Sequence, residues 1–471
     1  FAKPVIAAAH GGLIEIVMHG KTGLLVKPND PTALRSALSQ LANDVDLRQR
    51  LGTAGQARQR DLFSVQGYVT RLSQLLGTAA AETSKTILFV HQSAEMYGSD
   101  KVLLWLAMGV QAHGFHAIVL LPSEGPLFDT LMAGGIEVHV AEVTKLNRES
   151  LSLSGLLKLP GNIYRSIRDK NRIVAGRKID LVYSNTLAVL GGAICARFKR
   201  IPHLWHVHEL LESPAVVRKG FPLMVRMLSD KVVTNSTLTT RWLLQEQSAL
   251  ARKTLTIWNG LGQRPAVNER EADAIRALLG VQNGQLLVAL VGRINRWKGQ
   301  ELLIEAATDL WIKGTKHVHF VMVGGVAPGQ EHLIEALKAR IASSPASAQI
   351  HHLDFRDDVW SVWDACDIAV VPSTEPEPFG MVAIEAMAAG KPVIVAGHGG
   401  LLDIVEDGVS GLIFKPGDVQ AFAQQLDRLI NAPTLRSDLG ARGRIRQKQL
   451  FSLETQLKRT LELINSMTSK T

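Results

Sequence analysis

The stretch TILFVHQSAEMYGSDKVLLWLAMGVQAHG, residues 86–114, sets the fold class. TILFVH (86–91) is a continuous apolar run, as expected of a strand buried on both faces of a parallel sheet. HQSAEMYGSD (91–100) is a small and polar loop. KVLLWLAMGVQAHG (101–114) then has apolar residues at helical spacing and a glycine stop. The same unit recurs downstream. HAIVLLP (116–122), IEVHVAEV (136–143), DLVYSNT (180–186), HLWHVHE (203–209), KVVTNS (231–236) and TLTIWNG (254–260) are short apolar runs, most ending in small or polar residues. Strands alternating with helical stretches predict an open parallel α/β sheet.

A second series begins near residue 285. Its strands are LLVALVGR (286–293), HVHFVMVGG (317–325), QIHHLD (349–354), IAVVPS (368–373), KPVIVAG (391–397) and GLIFKPG (411–417). Between the two series, GQRPAVNEREADA (262–274) reads as a linker and the start of a helix. A last helix is expected at roughly 453–468. The expected organisation is two doubly wound, Rossmann-like α/β domains, 85–264 and 265–471, with the last helix in the second. Ligands of such domains bind in the cleft at the carboxyl ends of the strands.

Residues 1–76 repeat residues 389–464 without a gap, at a constant offset of 388. KPVIAAAHGGLIEIVMHGKTGLLVKPND (3–30) matches KPVIVAGHGGLLDIVEDGVSGLIFKPGD (391–418), and Leu62-Phe63-Ser64 matches Leu450-Phe451-Ser452. Solenoid periods run to ~20–50 residues, so this is a duplicated piece of a domain. Segment 1–84 is therefore expected to be a truncated half-domain, the tail of one unit, joined through GTAAAETSK (77–85) to a whole second unit.

Charged residues make up 20% of the chain and apolar ones 46%, ordinary values for a globular protein. No apolar run is long enough to span a membrane. The two cysteines, Cys195 and Cys366, lie in apolar segments, which argues against a disulfide framework and fits a reducing cytosol. A net charge of +9 favours anionic partners such as nucleotides or lipid headgroups. Nucleic acid is not expected, because basic and aromatic residues do not interleave. LSLSGLLKL and the nearby cations Arg165, Arg168, Lys170, Arg172, Arg177 and Lys178 raise the expectation of an anionic membrane surface as a partner; a solvated helix face is the alternative.

The chemistry concentrates in PSTEPEPFGMVAIEAMAAGKPV (372–393). Glu377 and Glu385 lie eight residues apart and straddle Pro378-Phe379-Gly380 after a strand. Free N–H groups around Gly380, Met381 and Val382 at a helix start form an anion site, and the carboxylates can accept hydrogen bonds from hydroxyls. Upstream, LVGRINRWKG ends a strand with Arg293 and then offers Lys298. Two cations on one post-strand loop can clamp a diphosphate without a metal. The Gly399-Gly400 pair after another strand lets the backbone approach a ligand closely.

The ordered set Gly292-Arg293-x4-Lys298-Gly299, Glu377-x7-Glu385 and Gly390-Lys391-Pro392-Val393 with its Gly-Gly loop resembles the retaining glycosyltransferases of family 4, which have the GT-B fold. The resemblance runs over residues 86–464. It implies a nucleotide diphosphate sugar as co-substrate, a glycan or lipid-linked acceptor in surface polysaccharide synthesis, and no metal or other cofactor. It further implies Arg293 and Lys298 on the diphosphate, Glu377 on the donor sugar, Glu385 on the ribose, and the backbone of Gly380, Met381 and Val382 capping the diphosphate. Asp354, Phe355 and Arg356 would read the base edge. In the first domain, YGSDKVL (97–103) stands where the family often has GGAERVL. Gly98 is kept, Tyr97 replaces a glycine, and Asp100 takes the acidic place. His208 aligns with a histidine near the anomeric carbon, with His206 as its rival. Asp403 replaces a usual glutamate after the Gly-Gly loop, whereas the first copy keeps Glu15. The location implied is the cytoplasm, at the inner membrane face. The alternatives are an inactive GT-B binding protein and a GT-B nucleotide-sugar epimerase. Segment 1–76 has no counterpart of Arg293, Lys298, Glu377 or Glu385 and is expected to be catalytically inert.

Overall fold

The computed structural model describes residues 2–63, 84–96, 98–143, 176–187, 189–211, 215–356 and 358–469, with Gly161, Arg168 and Ile173. Tyr97, most of the basic segment 151–178 and most of the joint 77–85 therefore lie outside the described residues. The chain divides into two compact units, Phe1–Ser84 and Lys85–Thr471.

In the first unit, β1 (Ile6–Ala8), α1 (Leu13–Ile16), β2 (Leu24–Val26), α2 (Pro31–Asn43) and α3 (Val45–Phe63) follow one another. The Asp30 side chain caps α2 by accepting from Thr32 N and Ala33 N, and Pro31 sits at the first turn, where its missing N–H costs nothing. β1 and β2 pair in parallel, Ile6 opposite Leu24. The Arg58 guanidinium on α3 reaches back to the carbonyl oxygens of Ile16 (3.0 Å) and Glu15 (2.8 Å).

The second unit opens with seven parallel strands. They are β3 (Thr86–His91), β4 (His116–Leu121), β5 (Glu137–Val140), β6 (Leu181–Asn185), β7 (His203–Val207), β8 (Lys231–Thr234) and β9 (Thr254–Thr256). Helix α4 (Gly98–Ala112) follows β3. α5 (Pro126–Ala133) follows β4, α6 (Leu190–Lys199) follows β6, α7 (Ala215–Leu228) follows β7 and α8 (Thr237–Glu246) follows β8. The spatial order is β5-β4-β3-β6-β7-β8-β9. β6 and β7 are buried along their whole length, as strands covered by helices on both faces must be.

A second sheet has six parallel strands, β10 (Leu286–Val291), β11 (Val318–Val323), β12 (Ile350–Leu353), β13 (Ile368–Val371), β14 (Val393–Ala396) and β15 (Leu412–Phe414). Its order is β12-β11-β10-β13-β14-β15. Helix α9 (Glu269–Leu278), capped by Asn268, precedes it. Its other helices are α10 (Gln300–Ile312), α11 (His332–Ala342), α12 (Trp360–Ala365), α13 (Met381–Ala388), α14 (Leu401–Ile404), α15 (Val419–Ile430) and α16 (Pro433–Leu450). Every strand expected from the apolar runs is present.

The final helix, α17 (Leu453–Thr468), corrects the sequence reading. It was expected to complete the second domain. Instead Leu463, Ile464 and Met467 pack into the core of the first sheet, with Ile87, Phe89 and Leu103. Gly109 on α4 makes room for it, since a Cβ there would stand 2.3 Å from Leu457. The chain recrosses beside its first crossing. Leu261 N donates to Phe451 O (2.9 Å) and Leu453 N to Leu261 O (2.9 Å). Helical periodicity reveals an apolar stripe but not the sheet that will cover it.

Ile464 is fully buried in that core. Ile464→Ala should lower the unfolding free energy by ~2–5 kcal/mol in urea titrations, the usual cost of such a cavity. A loss below ~1 kcal/mol would mean that α17 is not an integral part of the first domain.

Candidate functional site

Parallel strands all end on one side, so both sheets deliver their post-strand loops to a shared cleft. The second domain builds its wall from three loops locked by glycines. After β10, Asn295 Oδ1 accepts from Trp297 N (3.1 Å) and Lys298 N (2.9 Å), turning Lys298 inward. Gly299, at φ +83°, lies so close to Pro372 O that any Cβ would collide with it. After β14, Gly399 has φ +69°, and a Cβ there would stand 2.5 Å from Glu377 O. Gly400 N donates to that same carbonyl oxygen (2.7 Å). The glycines are required by backbone-on-backbone packing, and what they pack around is Glu377.

Glu377 is buried, and its carboxylate is held from two sides. Lys298 Nζ donates to Oε1 at 2.7 Å, and Ser373 Oγ donates to the same oxygen at 2.5 Å. His398 Nε2 contacts Ser373 O at 2.8 Å. Lys298 also lies over the Trp297 ring, 4.5 Å from its centroid. Lys298 and Glu377 thus form one charge pair at the cleft wall. Arg293 stands on the same loop, exposed, with its carbonyl oxygen held by Gln300 Nε2 (3.1 Å).

Gly380 adopts φ +115° at the head of α13, whose first turn carries no side-chain cap. The first N–H groups of α13, those of Met381 and Val382 among them, therefore have no partner within the helix and keep the positive end of its dipole. A Cβ on Gly98, at the head of α4, would lie 3.8 Å from Met381, so the two helix starts meet across the cleft. Glu385 lies on α13. Burial pushes its carboxyl above the usual range, against the opposing charge of Lys101 on α4. Phe355 and Arg356 lie beyond β12 and are exposed, as is Asp354.

The first domain contributes a buried polar chain at the ends of β3, β6 and β7. His91 Nε2 meets Asp100 Oδ1 at 2.6 Å. Asn185 Nδ2 donates to Ser99 O (3.2 Å), which leaves Asn185 Oδ1 to face His208 Nε2 at 2.8 Å. A carboxamide oxygen only accepts, so Nε2 of His208 carries the proton. Burial, with His206 and His91 alongside, holds the His208 imidazole well below its usual range, so it is neutral at physiological pH. His206, the rival candidate, lies against His208 with its ring tilted, 3.9 Å between centroids, and burial brings its pKa down to about 3. His206 Nδ1 is engaged by the Tyr183 hydroxyl at 2.8 Å. The two domains are also tied by Asp403 Oδ2, which accepts from Thr237 N (2.6 Å) and Trp258 Nε1 (3.2 Å).

The structure thus gathers Lys298, Glu377, Gly380, Met381, Val382, Glu385, Gly399 and Gly400 on one wall, with Gly98 opposite. His208 stands at a strand end of the first domain. Sequence reasoning missed Ser373, Asn185 and the partners of Asp403. The polar endings of IAVVPS and DLVYSNT were the available signals for the first two, but a strand-end Ser or Asn carries no partner information by itself.

Residues 1–58 and 271–446 match the family model of glycosyl transferases group 1. A D-inositol 3-phosphate glycosyltransferase of Thermobifida fusca is 30% identical over 222 residues, 46% of this chain and 50% of the relative. An uncharacterized glycosyltransferase of Methanocaldococcus jannaschii is 28% identical over 60% of this chain and 74% of its own. The chain spans about half, or less, of the first three curated relatives it matches. Among solved structures, HepE of Anabaena in complex with UDP and glucose is 26% identical, with a TM-score of 0.68 over 81% of this chain and 99% of that one. The same protein is also known in complex with UDP-glucose. A glycosyltransferase of Rickettsia africae shares the fold, with a TM-score of 0.72 at 20% identity over 83% of this chain and all of that one. The parallel two-sheet architecture and these matches together place the chain in the glycosyl transferases group 1 family, with the GT-B fold.

Proposed function

We propose that residues 85–471 form a retaining glycosyltransferase that moves a sugar from a nucleotide diphosphate sugar to a glycan or lipid-linked acceptor in surface polysaccharide synthesis. The first sheet with α17 is the acceptor side, and the second sheet is the donor side. The observation that carries this reading is the Lys298–Glu377 pair, buried beside the uncapped start of α13. HepE complexes with UDP and UDP-glucose make uridine diphosphate sugars the first donors to test.

In this reading Arg293, Lys298 and the N–H groups of Gly380, Met381 and Val382 hold the diphosphate. They stabilise the charge that grows on it as the sugar leaves. The cations and the helix start supply that stabilisation without a metal. Glu377 accepts from hydroxyls of the donor sugar, and Ser373 and Lys298 keep its carboxylate in place. Glu385 accepts from the ribose, and Asp354, Phe355 and Arg356 border the base. His208, neutral and carrying its proton on Nε2, sits on the acceptor side as a hydrogen-bonding group. The departing phosphate takes the acceptor proton on the same face, which retains the anomeric configuration. The protein's contribution is positioning and electrostatics. Residues 1–76 take no part, because they hold no counterpart of the cations or of the two glutamates. They are read as the C-terminal half of a duplicated glycosyltransferase domain. The site of action is the cytoplasmic face of a membrane. Among the described residues no helix is long and apolar enough to cross one. The attachment proposed is peripheral, through the basic segment 151–178.

Lys298→Ala should reduce transfer or donor hydrolysis about ten- to a hundredfold, the worth of a charge-assisted contact of ~1.5–3 kcal/mol. Rates are measured on protein whose circular dichroism is unchanged, and a wild-type rate would remove Lys298 from the diphosphate.

Glu377→Gln and Glu385→Gln should separate sugar from nucleotide. Calorimetric titration with UDP should show the larger loss of affinity for Glu385→Gln, and turnover the larger loss for Glu377→Gln. Equal losses in both measurements would end this division of roles.

Ribose binding needs the Glu385 carboxylate, and burial raises its pKa. The free protein therefore takes up a proton there at higher pH than an ordinary glutamate, and affinity should fall as pH is lowered through that raised value. A sugar diphosphate ester has no ionisation of its own in this range and suits the titration. Glu385→Gln should bind more weakly at neutral pH and lose this acid limb. A limb that persists in the variant assigns it to another group.

A further inference from the structure

Four polar side chains at the carboxyl ends of the first sheet form one hydrogen-bonded line, Asp100–His91–Asn185–His208. Its first three members are buried almost completely. The carboxylate of Asp100 only accepts, so His91 Nε2, 2.6 Å away, donates to it. That leaves His91 Nδ1 to accept from Asn185 Nδ2 at 3.1 Å. The Asn185 backbone oxygen also lies 3.0 Å from Nδ1 and takes no proton from it in this arrangement. The other Nδ2 hydrogen goes to Ser99 O at 3.2 Å. Both Asn185 donors are then used, and Oδ1 is left for His208 Nε2 at 2.8 Å. Every N–H in the line points toward Asp100. His208 is left with a bare Nδ1, which accepts.

The backbone beside Asn185 is strained. Thr186 adopts φ +101°, a region that β-branched residues rarely enter. Its neighbours hold it there. Thr186 N donates to His206 O (2.9 Å), and Thr186 O accepts from Nε1 of the fully buried Trp205 (2.8 Å). The Thr186 hydroxyl is buried without a partner among the described residues. The residues on either side of the turn grip the segment beyond β7. Asn185 Oδ1 meets His208 Nε2, and Leu187 N donates to Glu209 Oε2 at 3.0 Å. Asn235 Nδ2 holds His208 O at 3.3 Å. Glycine would make this turn without strain. Apolar side chains of similar shape often replace a buried polar line at no loss of stability. The fold requires neither feature, so both point to the residue that they hold.

Asp100 stands on α4 two residues after Gly98, which faces Met381 at the head of α13. The fixed end of the line is thus carried by the helix head that meets the donor wall, and the other end is His208.

We propose that Asp100, His91 and Thr186 are positioning residues for His208. Asp100 sets the direction of the line, His91 passes it on, and the turn at Thr186 sets the place of Asn185. Together they keep the His208 proton on Nε2 and offer Nδ1 to a ligand hydroxyl. A hydroxyl has a hydrogen to give to a bare ring nitrogen, whereas an ionised phosphate oxygen has none. The inference rests on the reading of His208 as an acceptor-side group.

The test uses the full-length protein, isotope-labelled at its histidine nitrogens. Long-range proton–nitrogen NMR spectra show which ring nitrogen is protonated, and His208→Gln identifies the His208 signals. Nε2–H should dominate in the wild type. Asp100→Asn keeps the shape but can donate as well as accept, so the line can run either way. The ratio of Nε2–H to Nδ1–H at His208 should fall about two- to tenfold, the worth of one hydrogen bond. Thr186→Gly, which takes the turn freely, should show the same fall, and it serves where Asp100→Asn does not fold. In both variants kcat with UDP-glucose should fall by a similar factor, while UDP affinity by calorimetry stays within about twofold. A merely structural role would not move the ratio. A wild-type ratio in either folded variant overturns the proposal, and so does a lowered ratio with wild-type kcat. The spectra need no turnover. A lowered ratio in a protein whose wild type does not use UDP-glucose therefore supports the line and counts against the functional reading instead.

Discussion

Within each sheet of residues 85–471 the described strands are all parallel, and the rest of that unit follows from this constraint. A parallel sheet needs a crossover for each strand, and the crossovers are helices that cover both faces. Every strand therefore starts at one end of its domain and finishes at the other. His91, Asn185 and His206 fall at strand ends in the first domain, with His208 just beyond. Arg293, Ser373 and His398 fall just beyond strand ends in the second. Apart from His206 and His208, these residues lie far apart in sequence, yet the topology leaves them nowhere else to go.

Within that frame the site depends on glycines for contact and on a buried charge pair for chemistry. Gly299, Gly399 and Gly400 let three loops pack backbone to backbone around Glu377. A carboxylate this buried would be costly alone, and Lys298 with Ser373 compensates it. Burial keeps His206 and His208 neutral, which suits hydrogen-bonding groups better than acids.

The N-terminal copy is an unplanned control on the physics of packing. The same sequence pattern gives the same strand register, Ile6 opposite Leu24 and Ile394 opposite Leu412, the same aspartate cap, Asp30 and Asp418, and the same arginine clamp on two carbonyl oxygens, Arg58 and Arg446. Those features are local, and the two copies agree on them. Leu13 is exposed where Leu401 is buried, because the cover of Leu401, Gly380 among it, lies outside the repeated segment. Arg293, Lys298, Glu377 and Glu385 all lie outside the repeated segment, so the first copy has no counterpart of them.

The sequence by itself determined the fold class, both strand series and the order of the donor-side motifs, because parallel strands are continuous apolar runs and the motif residues follow them directly. It also exposed the duplication. Tertiary structure alone decided that Lys298 pairs with Glu377, that Ser373 shares that carboxylate, that Asn185 fixes the proton on His208, and that Asp403 bridges the two domains. It alone placed the last helix on the first sheet, where the sequence had suggested the second. The reason is physical: periodicity and propensity report what each segment can bury, while partners up to a few hundred residues away decide what it buries against.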